Sequence, residues 1–427
     1  GGPWLAFQAN AQLPPPHGKV RNAGGSILHV GSGNFGLASS TLVEAGGTLV
    51  TGGALSINAT TWNHSGTLQA RELTLNVGPF TQSAGSQLLA TQRLNASGGN
   101  WSNAGLIASD GSLELTLTGA YDGSGRLTSL GNLTLEAASL DLASAGSIAG
   151  GALSQLTFSG LAVNRGQLTS SGDFTLRAAT LNNHGTLGSA ERLSLYAPTL
   201  YNERGLIFSG GDMALRSLNL TNLRGNLYSL GGLDIAANDN SGWASRFENT
   251  SGSVESAGNM RILANRLINQ RADFATEMRL VSGNLNVYWD DFCDGKGCEL
   301  YFTSVENYED VIIGDPDAPI AFITSGANLD ILGSSFDNLY STVSAAGNIG
   351  ITVDTLRNIG MAGGEQRHYN SGLYTRDRSI YNNFISTKNL FNLYNNPHGG
   401  NYRPGEVTLA DIRATAPAGA FFNVTSY

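Results

Sequence analysis

The sequence predicts an all-β chain built mainly as an elongated, right-handed parallel β-helix. Three observations carry that prediction. Apolar residues recur about every twenty positions, glycines recur at the same spacing, and no repeat holds the ten or more residues of 3.6 periodicity that a helix needs. Aligned on a leucine-like position, the repeat gives Leu55, Leu73, Leu94, Leu113, Leu133, Leu153, Phe174, Leu193, Met213 and Leu233, at intervals of 18 to 21 residues. The glycine series is Gly66, Gly85, Gly105, Gly125, Gly146, Gly166, Gly185, Gly205 and Gly225.

One unit, Gly210 to Ser229, shows what a repeat builds. Met213 and Leu215 alternate with outward residues, as a strand with one buried face does. A second short strand spans Leu218 to Thr221, and a third starts near Leu227 after the glycine. Three short strands and three turns in about twenty residues describe one rung, hydrogen-bonded to the rungs on either side. Leu115 and Leu135 then point into the core. The leucine-rich repeat is the rival at this period, but its L-x-x-L-x-L order is not the L-x-L-x-A followed by [L/W/F]-x-N found here.

The [L/W/F]-x-N pattern occurs at Trp101/Asn103, Leu181/Asn183, Leu200/Asn202, Leu220/Asn222, Phe247/Asn249 and Leu267/Asn269. Asparagine tolerates left-handed turn backbone, and stacked amides can bond along the axis. These asparagines therefore read as structural rather than as a binding site.

In chain order, residues 1–50 read as degenerate first rungs or an N-terminal cap, and residues 51–284 as regular rungs. Within them an extra loop, Asp239 to Arg246, carries Trp243 and stretches one interval to 27. Residues 285–322 interrupt the array. They hold nine acids against Lys296 alone, nearly the whole net charge of −9. The repeat resumes over 323–360, with Leu329/Ile331, Phe336/Asn338 and Leu356/Asn358, so the insertion leaves and returns in register. Residues 361–427 are about twice as aromatic as the 8% of the whole chain. They read equally as a cap over exposed strand edges or as a contact surface rich in tyrosine and arginine.

Composition narrows the function. The 56 glycines are about 13% of 427 residues and charged residues are also 13%, against usual values of ~7% and ~25%. The acidic balance disfavours nucleic acid as a partner. No run approaches the ~18 apolar residues of a membrane helix and no signal peptide opens the chain, which reads as a monomeric fragment of something longer.

Chemistry is sparse. Polysaccharide-cleaving β-helices cluster carboxylates on adjacent rungs; here Asp173 and Asp212 occupy equivalent turns two rungs apart. No metal-ligand spacing links the histidines, and His64 and His184, beside turn glycines, are expected to face solvent. Gly31-Ser-Gly-Asn-Phe-Gly36 matches a nucleotide-binding pattern by letter only, with no helix to follow it. Cys293 and Cys298 flank Asp-Gly-Lys-Gly, which suits a disulfide-pinned hairpin between Tyr288-Trp289 and Tyr301-Phe302; zinc would need further ligands that are not nearby. Asp290, Asp291 and Asp294 leave a calcium site open as an alternative. The reading is of a non-enzymatic chain without cofactor or resident metal.

The unit N-x-G-x-I/L-x-S-x-G-x-L-x-L-x-A-x-x-L-x-N, clearest from Asn183 to Asn202, resembles the filamentous-haemagglutinin-type repeats of two-partner-secretion exoproteins. Leu267-Ile-Asn-Gln-Arg-Ala-Asp-Phe274 and Ala318-Pro-Ile-Ala-Phe-Ile-Thr-Ser-Gly-Ala-Asn-Leu329 are similar to the central region of CdiA-type contact-dependent growth-inhibition proteins. The resemblance implies a secreted, cell-surface stalk of a Gram-negative bacterium, exported through an outer-membrane partner barrel. Its tip would bind an outer-membrane receptor, protein or lipopolysaccharide, on a neighbouring cell, and a toxin would follow far downstream. Candidate contacts are Trp243, Tyr288, Trp289, Tyr301, Phe302, Tyr369, Tyr374, Arg376, Arg378, Tyr381, Tyr394 and Tyr402. A host-directed adhesin of the same architecture is the alternative.

Overall fold

The computed structural model describes residues 4–7, 11–13, 19–44, 46–290, 298–361, 363–375, 400–402 and 420–426. Among the described residues there is no helix. The strands fall into two units, Gly1–Ala272 with Pro319–Ile359, and Asp273–Ala318 with Gly360–Tyr427.

The first unit is a parallel β-solenoid of about 15 turns. The rung anticipated from Gly210 to Ser229 is present as strands Met213–Arg216, Asn219–Leu223 and Asn226–Ser229. Each pairs in parallel with its equivalents one rung before and after, so the solenoid has three ladder faces. On the first face Leu193, Met213, Leu233, Met260 and Leu329 stack in register, and all five are buried. The second face carries the column Trp62, Phe80, Trp101 and Tyr121. Its rings pack at 5.1 Å between Trp62 and Phe80 and 4.5 Å between Phe80 and Trp101. The first strands of the chain join the same ladders: Trp4–Phe7 pairs with Ser26–His29, and that strand with Thr48–Thr51.

A column of amides runs beside the second face. Asn164, Asn183, Asn202, Asn222, Asn249, Asn269, Asn338 and Asn358 each present Nδ2 to the Oδ1 of the next, at 2.7 to 2.8 Å throughout. Each donor up to Asn338 has a second acceptor in a backbone carbonyl, such as Gly225 O at 2.9 Å from Asn222, which fixes the amide orientation. The expected stacking is therefore present. The expected left-handed backbone at the asparagines is not. Positive φ falls two residues later, at Arg204 (54°), Arg224 (53°) and Ser251 (48°), because each asparagine must stay in the strand to keep its amide on the axis. Glycine follows for a steric reason: a Cβ on Gly225 would lie 2.3 Å from Asn202 Nδ2.

The chain leaves the solenoid after Ala272 and rejoins it at Pro319. The ladders run on across the gap, with Met260 beside Leu329, Val254 beside Ile323 and Asn269 beside Asn338. Both ends meet on one hydroxyl: Ser251 Oγ accepts from Ala272 N at 2.8 Å and donates to Pro319 O at 2.6 Å. Repeat spacing alone marks this departure poorly, because the strand Phe274–Asp290 alternates with the same period of two as a rung strand.

The second unit is a five-stranded antiparallel sheet in the order Gly400–Tyr402, Phe274–Asp290, Cys298–Gly314, Glu365–Thr375, Ala420–Ser426. Phe274–Asp290 and Cys298–Gly314 form a long hairpin with Tyr288 opposite Tyr301 and Trp289 opposite Leu300.

Two expectations follow. Leu115→Asp and Leu135→Asp place an unpaired charge where the parent side chains are 1% and 0% exposed, and should each cost several kcal/mol; thermal melts followed by far-ultraviolet circular dichroism measure it. Asn222→Ala strands its two ladder neighbours and should cost about 2–4 kcal/mol, whereas Asn76→Ala, at an exposed position, should leave the melt unchanged.

Candidate functional site

The extra loop on the solenoid is tied down at its base. Asn238 Oδ1 accepts from Asn240 N at 3.0 Å and Gly242 N at 3.1 Å, and Ala237 N donates to Gly242 O at 2.7 Å. These bonds hold the turn that presents Trp243, which is 43% exposed. Asp239 in the same loop accepts from Arg216 Nε at 2.8 Å, and that hydrogen bond holds its carboxyl below the usual range. Arg216 also reaches Asp234 at 2.7 Å, and Arg261 grips Asp234 at 2.6 and 3.1 Å. Burial alone would raise the Asp234 carboxyl, but the two guanidiniums outweigh it and hold it below the usual carboxylate range. Arg177 completes this surface by lying over the Tyr196 ring, 3.7 Å from its centroid.

The antiparallel sheet collects the other predicted contact segments, which lie far apart in sequence. Tyr374 is opposite Glu299, Tyr369 opposite Ser304, and Tyr402 opposite Gly283. Thus Tyr288, Trp289, Tyr301, Phe302, Tyr369, Tyr374 and Tyr402 share one sheet, described through their backbones. Arg376, Arg378, Tyr381 and Tyr394 lie outside the described residues, as does Cys293, and with it the expected disulfide to Cys298. Nearer the base, Arg367 lies 4.3 Å from the Tyr308 ring centroid while binding Glu365 at 2.8 and 3.1 Å. Gln366 bonds across the strands to Asn307 at 2.8 Å.

The carboxylates weighed for catalysis have structural work. Asp173 Oδ1 accepts from Arg192 N at 3.2 Å and Asp212 Oδ1 from Gly232 N at 2.8 Å, each closing the turn of the next rung. Among the described residues no three histidine, cysteine or acidic side chains are grouped to hold a metal. His184 is exposed as expected, 3.5 Å from Glu203. His64 is not: it is fully buried, with Nε2 3.0 Å from Gln87 O and its ring 5.0 Å from Trp62. Its place is the ladder position that Gln82 and Asn103 take in the following rungs, so His64 and Gln82 stand in for asparagine there.

Sequence reasoning also passed over Asn164, where Ala162 takes the place of the large apolar residue two positions ahead. It missed a second polar column as well, Ser189, Ser209, Ser229, Ser256 and Ser325, stacked at the end of the third face. These buried hydroxyls bond turn carbonyls, for example Ser229 to Gly211 O at 2.9 Å. The serine recurring two residues after the small apolar residue of each rung, as in Leu187/Ser189, Ile207/Ser209 and Leu227/Ser229, was the available signal.

A three-faced solenoid with an internal amide ladder, interrupted in register by an antiparallel sheet, defines a repeat stalk. The haemagglutinin repeat matches residues 154–195, 178–242, 231–284 and 314–366, stopping within the first strand of the hairpin and resuming at the end of its second. The chain is also 32% identical over 126 residues to Deoxyribonuclease CdiA of Dickeya dadantii (strain 3937). That stretch is 29% of this chain and 4% of the relative, so the chain spans a small part of the protein it matches. The repeats and this likeness together support a filamentous-haemagglutinin-type, CdiA-like protein. Repeat and similarity together support a two-partner-secretion stalk, a secreted or cell-surface exoprotein. Among solved structures, the tapirin C-terminal domain of Caldicellulosiruptor kristjanssonii aligns over 90% of this chain and 94% of its own at 12% identity, with a TM-score of 0.12 that carries no argument.

The Asp234 cluster gives a pH test. A carboxyl lowered in the folded state contributes stability above its unfolded pKa and loses it as pH falls through the folded one. Arg261→Ala should therefore lower stability by about 1 kcal/mol at neutral pH, the scale of a partly exposed pair. In melts recorded across the acid range, that difference should shrink below about pH 4.

Proposed function

We propose that this chain is the stalk and receptor-recognition part of a contact-dependent growth-inhibition exoprotein. It binds an outer-membrane receptor, protein or lipopolysaccharide, on a neighbouring bacterium. The observation that carries this reading is the combination of haemagglutinin repeats with an inserted sheet that gathers the Tyr288, Tyr301, Tyr369, Tyr374 and Tyr402 segments. Aromatic side chains are prominent among the residues that supply most of the energy at compact interfaces, and they are dense in the strands of this sheet, while arginine is spread over sheet and rungs alike. The solenoid contributes reach and presentation. Its core is uniformly buried and its turn carboxylates cap backbone, so this chain acts by binding rather than by catalysis.

Export fits the same picture. A full-length protein threaded unfolded through an outer-membrane partner barrel is poorly served by long-range crosslinks, and the two cysteines here are separated by only four residues. In this reading the toxic activity of the full protein lies outside this stalk. Nucleic acid is no partner of this acidic fragment, which works as a monomer.

The test is binding of the fluorescently labelled chain to Gram-negative cells and to eukaryotic cells. Saturable binding to bacteria is expected, and the double variant Tyr369→Ala/Tyr374→Ala should lose at least about tenfold in affinity with an unchanged solenoid melt. Binding to eukaryotic cells alone would replace this reading with a host-directed adhesin. Full binding by the double variant would remove the sheet from recognition.

A further inference from the structure

On the third face of the solenoid, Gly188, Phe208, Tyr228 and Glu255 stand in register on successive rungs, pointing outward. Beside Phe208, Tyr228 and Glu255 lies an open groove of about 430 Å³, with Leu206, Asn226, Leu227 and Ser253 as its other walls. The groove exists because position 188 has no side chain. A Cβ there would sit 2.1 Å from Phe208 Cε1, so the ring leans over the glycine and leaves the space beside Tyr228 open. Tyr228 is 40% exposed. Glu255, one rung or about 4.8 Å further on, takes the Ser253 hydroxyl on Oε1. It has no ion-pair partner among the described residues, and no basic side chain lines the groove.

We infer that this groove binds the guanidinium of an arginine side chain presented by a partner protein. The charge pattern selects the occupant. Two aromatic faces and a carboxylate attract a cation and repel an anion, while an apolar side chain would cover Glu255 without pairing it. Arginine satisfies both components at once, since its planar head stacks on a ring and its fork engages a carboxylate. The protein already builds this arrangement internally: Arg367 lies on Tyr308 and binds Glu365 through two nitrogens. The groove repeats the tyrosine and the glutamate and lacks the arginine.

The site lies on the rungs and stands apart from the role assigned to the antiparallel sheet. The test uses the full chain with isotope-labelled tyrosine and phenylalanine rings, titrated with N-acetyl-arginine amide. The Tyr228 ring signal, assigned by its loss in Tyr228→Leu, should shift saturably with an affinity of about millimolar, the scale of a single side chain. N-acetyl-citrulline amide, the neutral isostere, should bind at least about fivefold more weakly. Glu255→Gln should weaken the arginine probe by a similar factor. Gly188→Val, which drives the Phe208 ring back into the groove, should abolish the shift while melting like the parent. Equal shifts with citrulline, or undiminished binding in Glu255→Gln or Gly188→Val, would overturn the inference and leave the reading of the sheet untouched.

Discussion

The structure depends on a satisfaction condition imposed by its own winding. A backbone that closes one circuit in about twenty residues sets each inward side chain directly beneath its equivalent in the next rung. An apolar column meets the condition by packing alone. An asparagine column carries two donors and an acceptor per rung into a dry interior, where an unmatched group costs about 1–3 kcal/mol. Stacked on its own kind, each amide supplies what its neighbour lacks. From Asn164 to Asn358 the ladder spacing in sequence runs 19, 19, 20, 27, 20, 69 and 20 residues, yet every N···O distance is 2.7 or 2.8 Å. The chain varies its length wherever it leaves the axis and never on the axis itself.

The same condition explains how the ladder ends on its N-terminal side. After Asn103 the register passes to Gly123 and then to Leu142, which have no amide to offer. The Tyr121 hydroxyl fills the gap by accepting from Asn103 Nδ2 at 3.1 Å, and Nδ2 also reaches Arg126 O at 3.1 Å. Full burial pushes the Tyr121 phenol well above its ordinary pKa, so it stays a neutral partner. Beyond it, Gln82 and His64 replace asparagine beside the stacked rings of Trp62, Phe80 and Trp101. In this part of the solenoid large aromatics carry the burial that leucine columns carry later.

That contrast sets what could be read in the sequence. The rungs were legible because their signal is repetition: Met213, Leu233 and Met260 occupy one register whatever surrounds them. The asparagines were legible for the same reason, but their backbone role was misassigned to the turn, because residue type alone does not separate a strand end from the left-handed residue two positions on. His64 was misread because it sits beside a turn glycine, while its environment is set by Trp62 and Gln87, which sequence distance hides. The antiparallel sheet was the least legible. The pairing of Phe274–Asp290 with Cys298–Gly314 was anticipated from the short Asp-Gly-Lys-Gly stretch between them in sequence, but the pairing of Cys298–Gly314 with Glu365–Thr375 joins segments with two solenoid rungs between them, and nothing local encodes it.

Repeat geometry also bounds what each part of the chain can recognise. On the solenoid, outward side chains stand on a fixed lattice about 4.8 Å apart along the axis, and each rung contacts only its neighbours. Such a surface offers small sites made of two or three side chains in one column, as at Tyr228 and Glu255, where affinity is limited by how little can be enclosed. An antiparallel sheet with long strands and connections of its own is free of that lattice and can vary its surface without changing a rung. The exit and return on Ser251 make this freedom cheap for the solenoid, since one hydroxyl closes the break and the amide ladder runs through it. In the function proposed here, affinity that must distinguish one receptor from another belongs where the winding is interrupted, and the uniformity of the rungs is what permits the interruption.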